Sequence, residues 1–219
     1  MSEPTEPSEK PRWRGVSHIW AFFLSLFSGA ALVALARDTD ARVVALIYGL
    51  SISALLGVSG LYHRVNWTPR ARAWMRRLDH TMIFVLIAGS YTPIAVYTLD
   101  PDSRTWVLAT VWGAVAAVFA VNLGLQNAPP WFHAALSVAG GFAGAATFPE
   151  IVRSAGWGCM SLLIVGGVLY VGGALCYALK RPNPIPGAFG YHEVFHAMVI
   201  LAAGTHYAAI AQYVLPLGS

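Results

Sequence analysis

The sequence predicts an all-α integral membrane protein with seven transmembrane helices. Of its 219 residues, 57% are hydrophobic and only 11% are charged, and the mean hydropathy is +0.58. In soluble domains about a quarter of the residues are charged. A helix of roughly 20 apolar residues is long enough to span a bilayer. Six long stretches lack charged residues: Ser17–Ala36, Val43–Tyr62, Thr81–Leu99, Thr105–Pro149, Ser154–Leu179 and Val194–Ser219.

Each stretch is long enough for one span, and the fourth must hold two. Thr105–Pro149 is about twice as long as a single span. It is interrupted at Gln126–Pro130, where paired prolines cannot continue a helix because they lack a backbone N–H. The count is therefore seven helices over residues 17–219. Residues 1–16, MSEPTEPSEKPRWRGV, are a polar tail that we predict to be disordered.

The distribution of basic residues predicts the orientation. With seven spans, the N-terminal tail and the loops after the second, fourth and sixth spans share one side, which holds ten of the 14 Lys and Arg residues. Basic residues stay cytoplasmic, so the N-terminus is predicted inside and the C-terminus extracytoplasmic. The net charge of +4 then favours contact with anionic lipid headgroups at the cytoplasmic face. No motif for nucleic-acid recognition is visible.

Polar side chains cluster at the predicted cytoplasmic ends of three spans. The second span ends with His63, and Ser59 lies one helical turn deeper on the same face. Asp79 enters the membrane with the third span from the same side. The seventh span begins there with His192 and His196, four residues apart. Polar groups inside spans are costly, so this layer is the candidate functional site.

These residue types predict a zinc site. Three imidazoles can bind zinc and leave one coordination position for water. Such a water loses a proton near neutrality, and a nearby carboxylate, here Asp79, can hold it or accept its proton. Ser59 can orient the water or stabilise the oxygen of a carbonyl under attack. A site at headgroup depth meets the amide or ester linkages of lipids.

The first turns of the last span also contain the His-Glu-x-x-His pattern of zinc proteases, in which Glu193 would be the base. A thermolysin-like site needs an acidic ligand further along the chain, but no Asp or Glu follows Glu193. His206 lies 14 residues after His192, about 21 Å along a helix, which is too far to share a metal. A protease is therefore disfavoured.

Three segments resemble the signature regions of the hemolysin III family, the bacterial branch of the progestin and adipoQ receptors. They are Ser59–His63, Leu78–Pro93 and His192–Tyr207. The resemblance covers the chain from Ser17 to the C-terminus. It implies a seven-helix protein of the bacterial plasma membrane with a cytoplasmic N-terminus and a zinc ion near the cytoplasmic face.

By motif, the resemblance implies zinc ligation by His63, His192 and His196. It also implies that Asp79 contacts the zinc-bound water, with Ser59 close by. Alkaline ceramidases belong to the larger superfamily, so the implied activity is the hydrolysis of a lipid amide. The favoured function is thus a zinc-dependent hydrolase of a lipid amide or ester at the cytoplasmic leaflet.

Alternatives stay open for both function and residues. The chain could be a non-catalytic membrane sensor or regulator in which zinc only joins helices, or a lytic pore-forming protein. A histidine at a helix end can bind lipid headgroups, Asp79 can cap a helix, and Ser59 can pack between helices.

Three further polar residues near this layer have open roles: His18, His80 and Glu193. The family often places an Asn ahead of the histidine that corresponds to His18. This chain has Arg14 or Gly15 at that place, so the contribution of its first region is expected to differ.

Overall fold

The computed structural model describes residues 11–124 and 130–218, and within these ranges the chain is helical, without a β-strand. The helices are α1 (Val16–Leu35), α2 (Thr39–Arg64), α3 (Pro69–Thr98), α4 (Pro101–Gly124), α5 (Pro130–Gly141), α6 (Phe148–Leu179) and α7 (Tyr191–Ala209). A π-helical turn over Ile210–Val214 and a 3₁₀ turn over Leu215–Gly218 continue α7.

Local capping fixes where α2 and α3 begin. The Asp38 side chain accepts a hydrogen bond of 2.7 Å from the backbone N–H of Ala41 at the start of α2. Thr68 caps α3 in the same way, and Pro69 takes the first helical position, where a missing N–H costs nothing. Because α3 starts this early, its first two turns carry several arginines ahead of the apolar segment.

Six helical stretches in the described ranges are long and apolar enough to cross a membrane. They are Val16–Leu35, Thr39–Arg64, Pro69–Thr98, Pro101–Asn122, Leu136–Leu179 and Tyr191–Gly218. The all-α membrane fold is thus confirmed, whereas seven spans are not. The difference lies at the predicted fifth span: α5 has only 12 residues, about 18 Å of helix. The predicted break at Gln126–Pro130 falls mostly outside the described ranges.

Helix packing places the C-terminal end of α2 and the N-terminal ends of α3 and α7 at the same end of the bundle. α1 packs along α2, α2 along α3, and α6 along α7. The α1 and α2 backbones approach closely at a pair of glycines, since a Cβ added at Gly49 would lie 3.1 Å from the Gly29 Cα. α1 touches α7 as well, whereas α2 and α7 have few direct contacts. The outer face of α1 is apolar and exposed, as a lipid-facing surface requires, with Trp20 at 72% and Phe27 at 77%.

Residues 1–10 of the tail predicted to be disordered lie outside the described ranges, but Arg12–Gly15 form turns. The backbone N–H groups of Arg12 and Trp13 donate to the carbonyls of Gly187 and Ala188, at 3.2 and 3.3 Å. Gly15 has a φ of 76°, which glycine adopts without strain, and leads the chain into α1. This part of the tail is therefore ordered by contacts with the loop before α7.

Candidate metal centre

Three histidines from α2 and α7 lie side by side. His63 is in the last turn of α2, and His192 and His196 occupy the first turns of α7. One ring nitrogen from each lies within 4.8 Å of the others. The Nε2 atoms of His63 and His192 are 3.2 Å apart. The structure thus brings together the three ligands predicted from the sequence.

The donor set fits a zinc ion. Neutral imidazole nitrogens are common zinc ligands, and those of this cluster lie within 4.8 Å of one another. His196 is 2% exposed and the other two rings are half-buried, so few waters compete for them. The cluster contains three imidazoles and no thiolate, a set that suits zinc.

His18 of α1 lies directly behind this cluster. Its ring stacks on that of His196, with centroids 3.9 Å apart and ring planes within 9° of parallel. His18 is itself 2% exposed. The residue whose role the sequence left open is therefore a packing partner of a candidate ligand.

Both oxygens of the Glu193 carboxylate have partners. Oε1 forms an ion pair with the Arg14 guanidinium, and Oε2 accepts a hydrogen bond of 2.8 Å from the backbone N–H of Gly190. The carboxylate therefore fastens the start of α7 and neutralises Arg14. A zinc protease would need this group as a base. Its engagement agrees with the interpretation of the pattern as something other than a protease site.

Ser59 and Asp79 form a pair beside the histidines. The Ser59 hydroxyl of α2 lies close enough to the Asp79 carboxylate of α3 to interact with it. Ser59 is buried and lies one turn before His63. Asp79 is not part of the group whose ligand atoms lie within 4.8 Å of one another.

Aromatic and basic residues surround the histidines. The Tyr177 ring, at the end of α6, contacts the His192 ring with centroids 5.3 Å apart. The Tyr62 ring lies beside that of His63, at 4.6 Å, and the Arg72 guanidinium sits 5.8 Å above the Tyr62 ring. His80 is close enough to His192 to interact with it electrostatically.

The sequence analysis did not identify two residues that contact the site, Tyr177 beside His192 and Arg14 beside Glu193. No local motif marks Tyr177. Arg14 had a signal, since a lone Glu in an apolar helix needs a cation.

Comparison with known proteins places this geometry in context. Residues 8–207, which include all the predicted site residues, match the family model described as Haemolysin-III related. The chain is 29% identical to Hemolysin-3 of Bacillus cereus over 84% of this chain and 81% of that protein. It is 27% identical to the Adiponectin receptor protein of Drosophila melanogaster, over 89% of this chain and 49% of the receptor. It is 26% identical to the human Monocyte to macrophage differentiation factor, over 90% of this chain and 81% of that protein.

Proposed function

The chain belongs to the haemolysin-III-related family of multi-pass membrane proteins, and we propose that it is a zinc-dependent hydrolase of a membrane lipid amide or ester. The observation that carries this proposal is the cluster of His63, His192 and His196 beside the Ser59–Asp79 pair. A ligand set of three imidazoles leaves a coordination position open, as catalytic zinc sites do and closed structural sites do not.

We also propose the seven-span topology, with the site in the cytoplasmic leaflet. The ends of α2 and α3 that meet at the site are joined by a loop and helix start rich in arginine, including Arg64, Arg70 and Arg72. Basic segments of this kind stay cytoplasmic and attract anionic headgroups. A lipid would then reach the histidines from the headgroup layer, with the acyl chains remaining in the bilayer.

Each site residue has a defined task in this proposal. Zinc, when bound, supplies Lewis acidity that polarises a carbonyl oxygen and activates a water. The Asp79 carboxylate accepts the proton of the attacking water and passes it to the leaving nitrogen or oxygen. The Ser59 hydroxyl holds the Asp79 carboxylate in place by donating to it.

The first experiment measures metal content in detergent-purified protein. Wild type should hold about one zinc per chain, and His63→Ala, His192→Ala and His196→Ala should each lose it. His206→Ala is the matched control. His206 lies ten residues beyond His196 on α7, about 15 Å away, and contacts the Leu163 carbonyl instead of the cluster.

The same protein is then incubated with ceramides, phospholipids and acylglycerols, and released fatty acid is measured. Asp79→Asn should keep its zinc and lose hydrolysis. A zinc-loaded wild type that releases no fatty acid from any of these lipids would end the hydrolase proposal.

One observation favours a second function, a membrane sensor in which the metal is structural. The helices that carry the histidines, α2 and α7, have few direct contacts, so a shared ion would join them. In that case Asp79→Asn leaves the cellular phenotype intact, while loss of a histidine lowers thermal stability. Dye release from liposomes that persists without zinc would instead favour the lytic alternative.

A further inference from the structure

The ordered segment Pro11–Gly15, here called the N-terminal strap, touches both helices that carry the candidate ligands. On the α2 side, Gly15 lies against His63, and a Cβ added at Gly15 would be 2.7 Å from the His63 Cβ. That contact and the positive φ both require glycine at this position. The strap backbone is thus seated directly on the helix end that presents His63.

On the α7 side, Arg14 forms an ion pair with Glu193, the residue that follows His192 and precedes His196 by three. The Glu193 side chain is 3% exposed, and a buried carboxylate is strongly unfavourable without a partner. Arg14 therefore holds the start of α7, whose first two turns carry both histidines.

The strap is also fixed between these two contacts. Its backbone N–H groups at Arg12 and Trp13 donate to the loop that leads into α7. α2 and α7 have few direct contacts, and at this end of the bundle the strap contacts both of them.

We propose that the N-terminal strap, acting through the Arg14–Glu193 ion pair, is a positioning element that sets the separation of His63 from His192 and His196. The strap keeps the imidazoles close before an ion binds, so that less ordering free energy is lost on binding. Arg14 is thus a positioning residue that tunes metal affinity without touching the metal. This inference rests on the proposed metal site but not on the proposed hydrolysis.

The test compares Arg14→Gln with Arg12→Gln. Arg12 carries the same charge two residues away, but its side chain is exposed and it contacts the protein through its backbone. Zinc affinity is measured on the purified full chain by competition with a chromogenic chelator. Arg14→Gln should weaken zinc binding about tenfold or more, as loss of groups that orient metal ligands does. Arg12→Gln should bind zinc as wild type does.

Two further variants separate positioning from simple charge balance. Glu193→Gln retains an acceptor for the Gly190 N–H, and the double variant Arg14→Gln/Glu193→Gln should bind zinc no more weakly than Arg14→Gln alone. Residues that act through one interaction are non-additive in this way. Arg14→Lys keeps the charge, and it should bind zinc more tightly than Arg14→Gln even if the latter folds poorly.

The outcomes are distinct. Wild-type zinc affinity in Arg14→Gln, with an equal loss of thermal stability in its metal-free and zinc-loaded forms, would overturn the positioning role. Absence of zinc binding in wild type would overturn the metal site and this inference together. Zinc binding that weakens as expected, in a protein that hydrolyses no lipid, would retain the inference and remove only the proposed enzyme activity.

Discussion

His18 and His196 stack face to face across the interface of α1 and α7, with ring centroids 3.9 Å apart. Each ring is 2% exposed, so the pair is part of the protein interior. The stack holds the plane of the His196 ring, and the rings of His63 and His192 lie 4.9 and 4.6 Å from that ring, between centroids. His18 thereby limits the rotation of a candidate metal ligand.

Replacing His18 separates packing from chemistry. His18→Ala removes a buried ring and leaves a cavity, which costs about 2–5 kcal/mol for large side chains in protein cores. It should lower thermal stability and weaken zinc binding, because the His196 ring is free to turn. His18→Phe keeps the stack and should retain most of both properties.

Thermal unfolding and zinc titration of the two variants test this prediction. If His18→Phe loses zinc as completely as His196→Ala does, the imidazole of His18 has a role beyond stacking, and it belongs among the ligands.

Removal of the metal should destabilise the wild type. An ion that binds the folded state alone contributes about 2.7 kcal/mol when its free concentration is 100 times the dissociation constant. A chelator should therefore lower the midpoint of thermal unfolding of the wild type and leave that of His63→Ala unchanged. An equal shift in both proteins would show that the chelator acts elsewhere than at the cluster.

Substitutions of Ser59 and of Asp79 should reduce the rate of hydrolysis to different extents. Ser59→Ala removes the proposed hydrogen-bond donor to the Asp79 carboxylate but keeps the carboxylate, so we expect bound zinc and partly reduced hydrolysis. Asp79→Asn removes the proton acceptor and should reduce hydrolysis much further. Ser59→Thr keeps the hydroxyl and should restore the rate.

Initial rates with the best lipid substrate, normalised to zinc content, check this order. A Ser59→Ala rate below that of Asp79→Asn would contradict a supporting role for Ser59.

The sequence predicted the histidine cluster because basic residues next to a span indicate where that helix reaches the membrane surface. His63 precedes a run of arginines, and His192 follows the basic loop after α6. Both are therefore predicted to lie near the membrane surface on the same side. Helical spacing then places His196 on the same face of α7 as His192. These rules need only local composition, so they hold without knowledge of the fold.

Other features depend on contacts between distant parts of the chain. Arg14 and Glu193 are 179 residues apart, and their pairing requires the turn at Gly15 and the docking of the strap on the loop before α7. The shortness of α5 was also missed, because hydropathy measures the length of an apolar stretch and not the length of the helix within it. Turns after Gly141 end α5 inside that stretch.

The number of spans decides the side of the membrane on which the chain ends. An odd number with a cytoplasmic N-terminus puts the C-terminus outside, whereas six spans return it to the cytoplasm. Alkaline phosphatase fused to the C-terminus should be active and green fluorescent protein should be dark if seven spans form, because the first needs export and the second folds in the cytoplasm. Fusions within the loop between α2 and α3 should give the reverse pattern, since that loop is rich in arginine.

A fluorescent C-terminal fusion together with a fluorescent α2–α3 fusion would establish six spans, and the short α5 would then lie within one leaflet or along the membrane surface. Six spans would also conflict with the histidine cluster, because the start of α7 would then lie on the side opposite to the end of α2, whereas the structure brings His192 and His196 together with His63.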